Sequence, residues 1–199
     1  MATAASAQGK TPEIKKGRRK REPLPRTLEE FLRWKPEDGY KYEWNNGTLE
    51  KAVKMITPKQ LYLVDRLSGV LEKVKPTAGG RLVCEVQNRT SPTQIRVPDI
   101  AYYTAKEIGQ AAESDFQPVT SFAIEIISEH DKINTVYAKI EEYFQAGVKA
   151  VWLIFPEFQK VHVYTDPEQV AICKGDAICS AEGAIPGFSI SAAELFRKG

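Results

Sequence analysis

The sequence predicts an α/β domain, in which a mixed β-sheet is flanked by helices. Residues 121–128 and 149–155 are almost entirely apolar, which is typical of central strands buried on both faces. Residues 131–146, between them, carry apolar side chains at helical spacing. Because a strand, a helix and a strand follow in that order, we expect two parallel strands joined by a right-handed crossover.

The chain before this unit predicts a helix and then a hairpin. Thr27 is a suitable N-cap, and Glu30 follows it three residues later, as in a capping box. Asn46-Gly47 supplies the positive φ angles of a tight turn. We therefore expect residues 41–44 and 48–53 to pair as antiparallel strands.

A second helix and two strands follow the hairpin. Thr57-Pro58 predicts the helix start, since proline at the first helical position loses no hydrogen bond. Gly79-Gly80 predicts its end, and residues 81–86 and 94–103 have the composition of strands. After the central unit, the sequence predicts strands at 160–165 and 170–173, and a short helix after Ser191.

Composition and charge divide the chain into a tail and one domain. The chain has 199 residues, 42% hydrophobic and 27% charged, which is ordinary for a globular domain. Residues 1–26 carry eight basic and two acidic side chains, so the net charge of +2 leaves −4 for the remainder. We predict a disordered basic tail over 1–24 and a folded domain over 25–199. The tail either contacts phosphates or only aids solubility.

The sequence predicts a cytoplasmic location. No apolar run reaches the ~18–20 residues needed to span a membrane, and the N-terminus lacks the apolar core of a signal peptide. Cys84, Cys173 and Cys179 show no metal-binding spacing, so we expect buried thiols in a reducing compartment.

Two acidic residues stand in strands where a carboxylate is costly. Glu125 interrupts the apolar run 122–127. Asp99 follows Pro98, which cannot donate a ladder hydrogen bond, so the strand is expected to be irregular or at a sheet edge there. A buried carboxylate has to be paired, protonated or bound to a cation. Two such residues on neighbouring strands predict a Mg²⁺ site. The alternatives are that Glu125 pairs with a buried Arg or Lys and that Asp99 caps a turn.

Lys139 and Glu43 are further candidates. Lys139 lies at the edge of the apolar face of the helix after the Glu125 strand, where its amine could reach the end of that strand. Alternatively, it covers apolar surface with its stem and keeps its charge in water. Glu43 lies between Tyr42 and Trp44, so the alternation of a strand puts it on the opposite face from both aromatics. The alternative to a functional role is that this face of the strand is exposed to solvent.

Several segments, in this order, resemble the Uma2 family of nucleases, which belongs to the PD-(D/E)XK restriction-endonuclease-like superfamily. The resemblance covers about residues 27–196. The matching segments are TLEEFL, YEWNNGTLE, SPTQIRVPDIAYY, FAIEIIS, AKIEEYFQAGVKAVWLIFPEFQKVHVY and AIPGFSISAAELF.

The resemblance implies a restriction-endonuclease-like core and a role for each candidate. Asp99 and Glu125 become the motif acids that bind Mg²⁺ or Mn²⁺, together with the carbonyl of Ile126. The superfamily lysine would stand at Ile127, but in this family it is expected on the next helix, at Lys139. Glu43 matches a family glutamate near the metal.

The implied activity is metal-dependent endonuclease cleavage of phosphodiester bonds in DNA, with a homodimer as the arrangement suited to double-strand cleavage. Two positions depart from the family pattern. Glu129 follows Ser128 where the family has proline, and Thr135 stands where an acidic residue is common. These departures motivate the alternative of a catalytically idle module that binds nucleic acid or another partner.

Overall fold

The fold is given by a computed structural model, in which residues 23–36, 38–52 and 56–198 are described. Residues 1–22 of the predicted tail and Val53, the predicted end of the second hairpin strand, lie outside these ranges. The helices are α1 (Leu28–Arg33), α2 (Leu61–Ala78), α3 (Ala105–Glu113), α4 (Ile133–Gln145) and α5 (Ala192–Leu195).

The strands form three sheets. They are β1 (Lys41–Asn45), β2 (Thr48–Ala52), β3 (Arg81–Cys84), β4 (Asn88–Ser91), β5 (Gln94–Arg96), β6 (Ile100–Tyr103), β7 (Phe122–Ile126), β8 (Ala150–Phe155), β9 (Lys160–Asp166), β10 (Gln169–Lys174), β11 (Ile178–Ser180) and β12 (Ser189–Ser191). The main sheet has the order β10-β9-β8-β7-β6-β3, a smaller sheet has the order β2-β1-β5-β4, and β11 pairs with β12.

The main sheet is mixed, as predicted. β7 and β8 pair in parallel and α4 connects them, while the other neighbouring strands of this sheet pair antiparallel. Phe122, Ile124 and Ile126 of β7 join the larger core, which contains α2 and α5. Ala123 packs with α4 on the opposite face. Residues at odd positions of β7 therefore face α4, and Glu125 is one of them.

The predicted strand 94–103 is broken at Pro98, as the proline indicated. β5 belongs to the smaller sheet and β6 to the main sheet, so residues 97–99 carry the chain from one sheet to the other. This crossing point brings Asp99 next to both sheets. The strand predicted over 81–86 ends early, because Glu85 has a positive φ of 57°.

The hairpin and the caps follow the sequence signals. Asn46 and Gly47 have φ angles of 47° and 88° at the turn between β1 and β2. The Thr27 hydroxyl accepts a hydrogen bond from the Glu30 N–H at 3.2 Å. The prediction of a complete capping box is wrong, however. Its second hydrogen bond would run from the Thr27 N–H to the Glu30 carboxylate, but this carboxylate accepts from the Arg26 N–H instead.

Other sequence-based expectations need correction or addition. β4, α3, β11 and β12 were not predicted. Thr104 and Glu107 form a complete capping box at the start of α3, a signal that was present in the sequence. Cys173 and Cys179 are buried, but Cys84 is exposed, because it lies on β3, the edge strand of the main sheet. Within the described residues, no helix is long and apolar enough to cross a membrane.

Candidate active site

Strand β1 turns two charged residues toward the junction of the sheets. Tyr42 and Trp44 face the other way, where Trp44 packs against Phe31 and Ile95. Alternation therefore puts Lys41 and Glu43 on the opposite face, and both are buried. The alternative of a solvent-facing Glu43 is wrong, since this residue is 1% exposed.

Asp99 lies between the sheets, and each of its carboxylate oxygens has a different partner. Oδ2 accepts a hydrogen bond from the Ile126 N–H at 2.7 Å, which ties Asp99 to the end of β7. Oδ1 accepts one from Lys41 Nζ at 2.6 Å. The alternative that Asp99 caps a turn is therefore wrong, because both partners of its carboxylate lie on other strands, β1 and β7.

Glu125 is also bound at both oxygens. Oε1 accepts hydrogen bonds from the Tyr143 hydroxyl at 2.7 Å and from Lys139 Nζ at 3.3 Å. Oε2 lies 4.0 Å from Lys41 Nζ. The alternative of pairing with buried cations therefore holds in this structure, and it places Glu125 and Asp99 around the same ammonium group.

Lys139 points from α4 into this cluster. Its amine lies 2.9 Å from Glu43 Oε1, and its side chain is only 11% exposed. The alternative of a lysine that keeps its charge in water is thus wrong. Lys139 joins β1 to β7 through the carboxylates of Glu43 and Glu125.

Arg96 anchors the cluster from β5. Its guanidinium binds Glu43 Oε2 at 3.0 Å, Glu50 at 2.5 Å and Glu142 through two nitrogens at 2.6 and 2.9 Å. Glu43 Oε1 also accepts from the Val97 N–H at 2.9 Å. Glu43 is thereby fixed between Arg96 and Lys139.

The electrostatics of the cluster keep both lysines charged. Burial alone would lower the pKa of Lys41, but the carboxylates of Glu125 and Asp99 raise it above its ordinary value. The pKa of Lys139 is raised in the same way, because Glu125 and Glu43 outweigh the effect of burial.

The two glutamates differ in their pKa shifts. Burial would raise the pKa of Glu43, but Lys139, Lys41 and Arg96 together hold it below its ordinary value. Burial does raise the pKa of Glu125, because Lys139 and Lys41 offset only part of the desolvation cost. A further positive charge beside Glu125 would therefore stabilise its ionised form.

A cavity of about 550 Å³ opens onto these groups. Its wall includes Lys41, Glu43, Asp99, Glu125 and Lys139. Two residues that precede α2 and four that follow β7 also line it: Thr57, Gln60, Ser128, His130, Asp131 and Lys132. Ile126, the predicted carbonyl ligand, also lines the cavity, and its role stays a prediction.

The donor set fits a divalent ion of the Mg²⁺ type. Among the described residues, no group of three or more His, Cys, Asp or Glu side chains could hold a metal. Mg²⁺ does not require one, since it is commonly bound by one or two carboxylates, with water and phosphate oxygens as the other ligands. Asp99 Oδ1 and Glu125 Oε2 are the two oxygens that face a common point.

The structure thus brings Asp99, Glu125, Lys139 and Glu43 together, while their catalytic roles stay predictions. Sequence reasoning missed Lys41, Arg96 and Tyr143. Lys41 could have been found, because it lies two residues before Glu43 on the same strand face. Tyr143 shares the helical spacing of the apolar residues of α4, and nothing in the sequence marks its hydroxyl as part of a site.

Comparison with known proteins agrees with this architecture. A family model, Uma2, described as "Putative restriction endonuclease", matches residues 28–193. A solved structure from Anabaena variabilis, described as a "putative nuclease belonging to DUF820", aligns with a TM-score of 0.71 at 24% identity. The alignment covers 86% of this chain and 98% of that one, and it shows the shared fold. No curated protein matches the chain. Since the family model spans most of the sequence, the chain belongs to the Uma2 family of restriction-endonuclease-like proteins.

Proposed function

We propose that this protein is a metal-dependent endonuclease that hydrolyses phosphodiester bonds in DNA. The observation that carries the proposal is the shared orientation of Asp99 and Glu125. One oxygen of each is fixed, by the Ile126 N–H in Asp99 and by the Tyr143 hydroxyl in Glu125, and the other faces a common point that the Lys41 amine occupies. Membership of a family described as restriction endonucleases supports nucleic acid as the substrate.

Asp99 Oδ1 and Glu125 Oε2 would hold Mg²⁺ or Mn²⁺, with the carbonyl of Ile126 as a further ligand. When bound, such an ion polarises the scissile phosphate and makes a bound water more acidic. The Ile126 N–H and the Tyr143 hydroxyl fix the orientation of the two carboxylates. The chain therefore supplies ligands that need little rearrangement.

Lys139 would place a fixed positive charge beside the reacting phosphate. Its amine could orient the attacking water or stabilise the negative charge of the transition state. Glu43 holds this amine at 2.9 Å and would contact the ion through water. Arg96 in turn holds Glu43, so three elements of the fold determine where the Lys139 charge lies.

The first test is Mn²⁺-dependent cleavage of supercoiled plasmid by the wild-type protein and by Asp99→Ala. We expect the wild type to nick or linearise the plasmid, and Asp99→Ala to lose both cleavage and Mn²⁺ binding measured by calorimetry. Linear product without a nicked intermediate would further support a dimer with two sites. Cleavage that persists in Asp99→Ala would contradict the assignment.

The basic tail is expected to strengthen DNA binding. Residues 1–24 carry seven Lys and Arg side chains, whereas the rest of the domain has too little positive charge for a large phosphate-binding surface. Deleting them should weaken binding and reduce the slope of log K against log salt by about 0.9 for each phosphate that the tail neutralises. Binding measured by fluorescence anisotropy over a salt series checks this, and an unchanged slope would contradict it.

A catalytically idle nucleic-acid-binding module is the second candidate. The ion pair between Lys41 and Asp99 favours it, because that pair compensates the carboxylate without a metal. The two candidates differ in one experiment. If the protein is an idle module, the wild type and Asp99→Ala will bind DNA equally well, and neither will cleave DNA in the presence of Mn²⁺.

A further inference from the structure

A cation already lies between the two carboxylates assigned to the metal. The Lys41 amine is 2.6 Å from Asp99 Oδ1 and 4.0 Å from Glu125 Oε2, and the Lys41 side chain is only 6% exposed. Lys41 has no role in the function proposed above. Its position nevertheless bears directly on whether an ion can enter.

The two oxygens that Lys41 faces are the ones a metal would need. Asp99 Oδ2 is occupied by the Ile126 N–H, and Glu125 Oε1 by the Tyr143 hydroxyl and Lys139. The remaining oxygens, Asp99 Oδ1 and Glu125 Oε2, both face the Lys41 amine. An ammonium group and a divalent ion would thus compete for one position.

The competition follows from the short distances at this position. The Lys41 ammonium already lies 2.6 Å from Asp99 Oδ1 and 4.0 Å from Glu125 Oε2. A divalent ion bound to the same two oxygens would lie in contact with the ammonium, and two positive charges at contact in a largely buried site repel each other strongly. The ion and the Lys41 amine therefore exclude each other from this position.

Lys41 is the cation best placed to leave. Arg96 is held by three carboxylates, and Lys139 is held by Glu43 and Glu125. Lys41 makes one hydrogen bond, to Asp99, where Lys139 makes two, and Lys41 lines the 550 Å³ cavity, which gives its amine a space to turn into.

We propose that Lys41 occupies the metal position in the metal-free protein and must withdraw before Mg²⁺ or Mn²⁺ binds. Lys41 thereby sets the affinity of the site for metal. It also keeps Asp99 and Glu125 compensated while no metal is bound. This inference rests on the proposed assignment of Asp99 and Glu125 as ligands.

The test is calorimetric titration of the full chain with Mn²⁺, without DNA. Lys41→Met keeps an unbranched side chain that lacks only the terminal amine, and we expect Mn²⁺ to bind at least about fivefold more tightly, the lower end of the usual coupling range. Lys51→Met is the matched control. Lys51 lines the same cavity but pairs with Asp38, and its side chain is about half exposed, so solvent screens its charge. The affinity of Lys51→Met for Mn²⁺ should therefore stay near that of the wild type.

Each outcome separates this inference from the function on which it rests. Equal or weaker binding by Lys41→Met overturns the role of Lys41 and leaves the metal site standing. No Mn²⁺ binding by either protein overturns both. If Lys41→Met does not fold, a crystal structure of the wild type with Mn²⁺ decides. We expect manganese at Asp99 and Glu125 with the Lys41 amine turned away, and manganese there beside an unmoved Lys41 would overturn the inference.

Discussion

Replacing Lys139 with methionine is expected to lower Mn²⁺-dependent plasmid cleavage by about 10²- to 10³-fold, the usual loss when one fixed charge-stabilising group is removed. The Lys139 amine contacts Glu43 Oε1 and Glu125 Oε1, not the oxygens assigned to the metal. Mn²⁺ binding should therefore persist. The measurements are initial cleavage rates and a calorimetric Mn²⁺ titration of the same preparation.

Lys149→Met is the control for this prediction. Lys149 is exposed just after α4 and does not line the cavity, so its loss should leave the cleavage rate near that of the wild type. A Lys139→Met protein that cleaves at the wild-type rate would remove Lys139 from the mechanism. One that loses Mn²⁺ binding together with cleavage would show that Lys139 acts by holding the ligands and not by stabilising charge.

Replacing Arg96 with methionine is expected to lower the free energy of unfolding by about 3–5 kcal/mol, as for other buried ion pairs that lose one partner. Arg96 is 1% exposed and pairs with Glu43, Glu50 and Glu142. Removing it leaves the buried Glu43 carboxylate with less compensation. Urea unfolding followed by circular dichroism measures the loss.

Arg89→Met provides the comparison for Arg96. Arg89 lies on β4, is exposed, and donates to the Pro92 carbonyl at 3.0 Å, so its loss should change stability by no more than about 0.5 kcal/mol. A similarly small loss for Arg96→Met would mean that water enters and solvates the carboxylates. The cluster would then contribute little to the stability of the fold.

The fold was predictable where the local pattern has one physical solution. The two-sided apolar segments around Glu125 and the helical spacing between them predict a parallel pair with α4 as the crossover, and this is what the structure contains. The Asn46-Gly47 turn was equally clear, since its backbone angles suit few other residues. The strand break at Pro98 followed from the missing N–H of proline.

The short elements were harder to predict. Strands β4, β11 and β12 have only three or four residues, so their alternation is too brief to distinguish from loop sequence. Each of them pairs with a strand of only three residues. β12, for example, pairs with β11 after a loop of eight residues, 181–188.

The sequence alone determined that Asp99 and Glu125 are costly residues in apolar strands, and that Lys139 lies at the edge of the apolar face of the next helix. Period and polarity suffice for this, because they are properties of each segment by itself. The tertiary structure alone decided which oxygen of each carboxylate faces Lys41 and which one is fixed by the Ile126 N–H or the Tyr143 hydroxyl. The contacts of the cluster, including that of Lys139 with Glu43, join residues up to 96 positions apart, and only the packing of two sheets against α4 sets their distances.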